Sequence, residues 1–132
     1  MSEPFDLTAT PVHLGLGATA EPLHGFSWDP SFFEPYAERT ASDGDEGRLV
    51  SMFSFDAPWA QWEQHPHGSE LVICTAGRAS LIQEVDGEQH TVVIRAGEAV
   101  INPPGVWHTV DVAGLTTMVF ITSGRGTRHR PR

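Results

Sequence analysis

The chain has 132 residues, a formal charge of −9 and a pI near 5.0; all eight basic residues are arginine, and Cys74 is the single cysteine. That length suits one domain, able to bury about two thirds of its unfolded surface without a disulfide. So acidic a chain is a poor partner for a phosphate backbone, and one without lysine can form neither a Schiff base nor a P-loop phosphate cradle, which excludes nucleic-acid binding, imine chemistry and Walker-type hydrolysis.

No apolar run reaches the roughly 20 residues that a membrane span needs. The opening MSEPFDLTATP has neither the basic nor the apolar region of a secretion signal. The expectation is a cytoplasmic protein with no membrane partner.

Residues 1–47 show little periodicity and hold half of the prolines. They read as an extended N-terminal arm that packs on the rest of the chain or on a second subunit. Pro11 to Leu16 suits an edge strand. Asp29 before Pro30 marks the N-cap of a short helical turn through Phe33, limited by Pro35. Phe26, Trp28, Phe32, Phe33 and Tyr36 are too many aromatics to leave in water, which favours a homodimer.

From Arg48 the period is two. Leu49, Ser51, Phe53 and Phe55 alternate with Val50, Met52 and Ser54, giving a strand that ends near Pro58. A second strand carries Gln61 to His65. The PHGS turn after it resets the phase, so that Glu70, Val72 and Cys74 share the inner face of a third. Asp86-Gly87 predicts a type I′ hairpin between Arg78–Val85 and Glu88–Ile94. Pro103-Pro104-Gly105 turns Glu98–Asn102 into Trp107–Val112, whose His108, Val110 and Val112 face one way, and Leu115–Thr122 closes the set. Trp59, Trp62 and Trp107 take the opposite parity, as outer-face or interface residues. Short strands at this spacing predict an all-β antiparallel sandwich or barrel over residues 48–122. Residues 123–132, with four arginines, read as a basic C-terminal tail, either docked on acidic surface or solvated; His13, His24, His90 and His129 are given no role.

Glu63, His65, His67 and Glu70 fall within eight residues, and His108 follows the Pro-Pro-Gly turn. Side chains at i and i+2 of a strand leave the same face about 7 Å apart. Imidazole and carboxylate groups so placed, with a histidine from another strand, can reach one first-row ion. A metal site is the expectation.

These two segments resemble the paired motifs of the cupin superfamily, G(x)5HxH(x)3,4E(x)6G and G(x)5PxG(x)2H(x)3N. The second fits at Gly97, Pro103, Gly105 and His108, with Val112 in the place of its Asn. In the first, Glu70 and Gly77 are in register, but the histidine pair is not. Keeping the spacing to Glu70 makes His65 the second histidine and puts Glu63 in the place of the first; the other register pairs His65 with His67. The resemblance implies a double-stranded β-helix, the cupin jelly-roll barrel. With the first register it implies a divalent transition metal (Fe, Mn, Ni or Zn) held by Glu63, His65, Glu70 and His108. Phe53, Val72, Cys74, Val110 and Val112 would line a pocket for a small-molecule substrate. Glu63 or His67 would move a proton. Three functions follow from such a site: a dioxygenase acting on a small chelating substrate, a metal-dependent isomerase or lyase, or a non-catalytic ligand-binding module.

Overall fold

The structure is a computed structural model that describes residues 2–132. Its strands are β1 (Val12–Gly15), β2 (Thr19–Pro22), β3 (Arg48–Phe55), β4 (Gln61–Gln64), β5 (Glu70–Ala76), β6 (Arg78–Val85), β7 (Glu88–Arg95), β8 (Ala99–Asn102), β9 (Trp107–Val112), β10 (Thr116–Thr122) and β11 (Arg128–Pro131). They form two antiparallel sheets, ordered β2-β1-β3-β10-β5-β8 and β11-β4-β9-β6-β7. One α-helix, α1 (Pro30–Thr40), followed by a short 3-10 segment (Ala41–Glu46), lies between β2 and β3.

Alternation along the strands builds the core. Val72 and Cys74 of β5, Leu81 of β6, Val110 of β9 and Met118 of β10 have no exposed surface and pack together with Ala79, Ile94, Val112 and Phe120. The turns follow the chemistry of their residues. Asp86 (φ 53°) and Gly87 (φ 78°) both adopt the left-handed conformation that a type I′ hairpin requires, and β6 and β7 pair from Val85↔Glu88 onward. Gly77, which closes the first motif, has φ +80°, and a Cβ there would come within 2.6 Å of the Leu115 carbonyl oxygen. Only glycine lets the β5–β6 turn sit so close to β10.

The arm is more regular than its sequence. β1 pairs with β3, so residues before Arg48 extend a sheet of the barrel. α1 starts as predicted, with Asp29 accepting from the Ser31 N–H at 2.9 Å, but runs through Pro35 to Thr40. The hydrogen bond that Pro35 removes is offset by tertiary contacts that the local pattern could not contain. Phe26 packs edge-on to Trp28 and Phe32, Phe33 packs on Tyr36, and buried His13 meets the Tyr36 hydroxyl at 2.7 Å and Asp43 at 2.7 Å.

The C-terminal segment is also a strand: β11 pairs with β4, with Arg130 opposite Trp62 and His129 opposite Glu63. Its arginines dock on acids of the same chain, Arg130 on Glu84, Arg132 on Asp111 and Arg125 on Asp45. The Arg130 guanidinium lies 4.5 Å from the Trp107 ring centroid and 5.3 Å from that of Trp62, so those two indoles do form an outer face, covered by the chain itself. Trp59 departs from the expected parity, because residues 56–60 leave the sheet; its ring packs inward, 5.6 Å from Phe120. No helix is long and apolar enough to cross a membrane among the described residues.

Candidate metal centre

The site lies where the chain crosses from one sheet to the other. β4 ends at Gln64, His65 follows it, and the turn through Pro66 and His67 delivers the chain to β5 at Glu70. Register then decides what meets. Glu63 pairs across from His108 in one sheet, and Glu70 across from Asn102 in the other. The two motifs are tied directly, since the Gly105 N–H donates to the His65 carbonyl at 2.9 Å.

Glu63, His65, Glu70 and His108 each offer one donor atom, and those atoms lie within 4.8 Å of one another. His65 Nε2 is 2.9 Å from Glu63 Oε1 and 3.0 Å from Glu70 Oε2; His108 Nε2 is 3.3 Å from Glu70 Oε1 and 3.9 Å from Glu63 Oε1. Despite this closeness, both Nε2 atoms are buried without a hydrogen bond. Buried polar atoms seldom go unpaired without a reason. Ligands about 2.1 Å from one ion stand about 3.0 Å apart in adjacent octahedral positions and about 3.4 Å apart in tetrahedral ones. Three of the four separations, 2.9, 3.0 and 3.3 Å, lie within about 0.1 Å of that range, and the fourth, 3.9 Å, falls between adjacent and opposite octahedral positions, so the donor set fits a divalent first-row ion.

A second layer orients these donors. His108 Nδ1 lies 3.2 Å from the Val106 carbonyl, which can only accept, so this ring nitrogen carries the proton. His65 Nδ1 lies 2.8 Å from Thr127 Oγ1, whose own proton goes to the Gly124 carbonyl at 2.9 Å. Both rings therefore turn Nε2 toward the cluster. Glu70 accepts from Asn102 Nδ2 at 3.0 Å and from the Thr122 hydroxyl at 2.6 Å, and Gln83 Nε2 donates to Asn102 Oδ1 at 2.8 Å. His129 Nε2 is 3.0 Å from Glu63 Oε2.

The electrostatics are those of four groups sharing a dry space. Burial by itself would raise the Glu63 carboxyl, but His108 and His65 beside it hold it at about 2. The same balance keeps Glu70 well below the usual carboxylate range. Burial would depress the rings, yet the Glu63 and Glu70 carboxylates raise His65 to about 9 and His108 to about 8. The two carboxylates thus favour the protonated form of both rings, a positive charge that a divalent ion would supply in their place.

The cupin domain profile matches residues 55–130, more than half of the chain. The chain belongs to the cupin family. The profile reaches eight residues past Thr122, where the barrel ends in the sequence pattern, and takes in His129 and Arg130 of β11. Among solved structures, the cupin superposes on a conserved protein with a double-stranded β-helix domain from Klebsiella pneumoniae subsp. pneumoniae MGH 78578 with a TM-score of 0.53 at 18% identity, covering 64% of this chain and 76% of that one. An oxalate oxidase gives 0.55 at 22% identity, over 69% of this chain and 49% of the oxidase, so the cupin spans about half that enzyme's length. At these identities the likeness is one of fold, the double-stranded β-helix. No curated protein matches the sequence.

Two expected site residues stand apart. His67 is exposed on the turn, its Nδ1 3.8 Å from Asp45 Oδ2, because the residue after Pro66 points away from the sheet interface. The structure therefore brings His65 with Glu63 to the cluster and leaves His67 out of it. Phe53 packs 5.9 Å from Phe120 but also borders a surface cavity of about 370 Å³ with Phe26 and Trp28, since the arm folds over that end of β3. Val72, Cys74, Val110 and Val112, expected to line a substrate pocket, are buried members of the core cluster. Residues that sequence reasoning missed are Asn102, Thr122, Thr127 and His129. No local signal marks the last two, because their partners lie 62 and 66 positions away.

Proposed function

We propose that this cupin is a metalloenzyme that uses a divalent transition metal held by Glu63, His65, Glu70 and His108, and that it acts as a dioxygenase on a small chelating organic substrate. The observation that carries the reading is the pair of buried, unpartnered Nε2 atoms facing two carboxylates between the sheets. When bound, a redox-active ion with nitrogen and oxygen ligands supplies Lewis acidity and an electron source for dioxygen.

The chain's own groups divide the remaining work. Glu63 is the most accessible of the four, its side chain 24% exposed against 4% or less for the others, so a substrate approaches from its side. The packed apolar residues exclude water and favour a small ligand. A substrate that displaces Glu63 from the ion would free its carboxylate to act as a base beside it. His67 lies too far out to share that role. The exposed aromatics Phe5 and Trp28 of the arm support a homodimer, which sedimentation at micromolar concentration tests.

Metal analysis of protein purified without added metal, followed by oxygen uptake of iron-loaded protein with diketones, catechols and hydroxy acids, tests the proposal. One ion per chain and substrate-dependent oxygen consumption are expected. Turnover that persists without oxygen would replace the dioxygenase by an isomerase or lyase. Failure to bind any of the four candidate metals would remove the enzyme reading altogether.

A further inference from the structure

We propose that the C-terminal segment is a working part of the metal centre: Thr127 and His129 fix the donor atoms of His65 and Glu63. The inference rests on the reading that the cluster holds an ion, and deepens it by assigning the residues that set the ligand geometry.

Thr127 and His129 are two apart in an extended segment, so both reach the same side, where His65 and Glu63 lie. A hydroxyl has one proton, and that of Thr127 is given to the Gly124 carbonyl. Its oxygen must then accept from His65 Nδ1, which leaves Nε2 as a bare lone pair once an ion displaces the proton there. Without Thr127 the ring could carry its proton on either nitrogen and could rotate. His129 acts on the neighbouring ligand. Its Nε2 engages Glu63 Oε2, which leaves Oε1, the oxygen 2.9 Å from His65 Nε2, as the donor that faces the shared space. Glu63 is thereby held to one oxygen.

The segment is anchored independently of these contacts. Arg130 lies over Trp107 and pairs with Glu84 on the outer face, Arg132 Nη1 donates to Asp111 Oδ1 at 2.6 Å and to the Trp59 carbonyl at 3.0 Å, and Arg125 meets Asp45 at 3.1 Å. These arginine contacts hold the strand on one face, so that Thr127 and His129 stay against His65 and Glu63 on the other. His129 is half-exposed beside the most accessible ligand, so it touches the ion only through Glu63 and is a positioning residue.

The test measures Co(II) affinity by chelator competition, and the visible spectrum of the Co(II) protein, for the full chain and for T127V, T127S, H129F and H129Q. Orienting partners of metal ligands are worth about 10- to 100-fold in affinity, so T127V and H129F are each expected to bind that much more weakly with a shifted spectrum, while T127S and H129Q stay within about threefold of wild type. The conservative variants keep a hydroxyl and a hydrogen-bond donor and guard against a mere folding defect. Wild-type affinity and spectrum in T127V and H129F would overturn the inference while leaving the metal site standing. Equal losses in the conservative and disruptive variants would overturn it too, by reducing the segment to a structural edge. A wild-type protein that takes up no Co(II) would sink the underlying reading, and this inference with it.

Discussion

Metal uptake by this cupin is expected to expel close to two protons per ion near neutral pH. In the metal-free protein the Glu63 and Glu70 carboxylates raise His65 to about 9 and His108 to about 8, while Glu63 itself stays ionised down to about 2. At pH 7 a ring titrating at 9 is about 99% protonated and one titrating at 8 about 90%, which together give about 1.9 protons to displace. Affinity should therefore fall as pH falls, by about two decades in Kd for each pH unit below 7, and should level off above about 9, where both rings are already neutral. Calorimetric Zn(II) titrations in buffers of different ionisation enthalpy count the protons directly. Release near zero at pH 7 would mean that the rings are neutral before the ion arrives, and would refute the charge-balanced arrangement.

The stability of the metal-free protein should follow the same groups. The rings, raised above their ordinary 6.5, contribute stability that is fully present below about 6.5 and lost as pH rises through 8 to 9; Glu63, lowered from 4.5, contributes above about 4.5 and loses it as pH falls through about 2. Thermal melts should thus be highest between those limits, and saturating Zn(II) should abolish the alkaline decline; a metal-free Tm still rising between pH 7 and 9 would contradict this. Glu63→Ala should weaken Zn(II) binding at least tenfold while His67→Ala leaves it unchanged, and the reverse pattern would restore the other motif register. Gly77→Ala, which needs φ +80° and meets the Leu115 carbonyl at 2.6 Å, should cost more than about 1 kcal/mol in urea unfolding, and a neutral result would show that the turn can shift. Leu81→Ala, at a position with no exposed surface, should cost about 2–5 kcal/mol in the same assay, and a loss under 1 kcal/mol would mean that the core collapses around the gap.

The strands were legible because half-buried sheets leave a period of two in the chain, and Asp86-Gly87 and Pro103-Pro104-Gly105 mark turns whose backbone angles few other residues accept. Strand parity and one turn account for the common facing of Glu63, His65 and Glu70, but the choice of Glu63 over His67 came from the likeness to the cupin motifs. Residues without a local constraint were not legible. Pro35 argues for a helix end until Phe32 and Tyr36 of α1 pack against Phe26 and His13, and those contacts span up to 23 positions in His13–Tyr36. The tail shows the same limit most clearly. Nothing within GTRHRPR says which strand it will pair with, and Thr127 meets His65 across 62 positions while His129 meets Glu63 across 66. Sequence alone determined the strands and turns, because periodicity and turn chemistry act between neighbours, and its likeness to the cupin motifs is what pointed to a barrel with a carboxylate–imidazole cluster. Which groups orient that cluster was decided by tertiary structure, because sheet register joins distant segments and only their pairing sets the direction of each hydrogen bond.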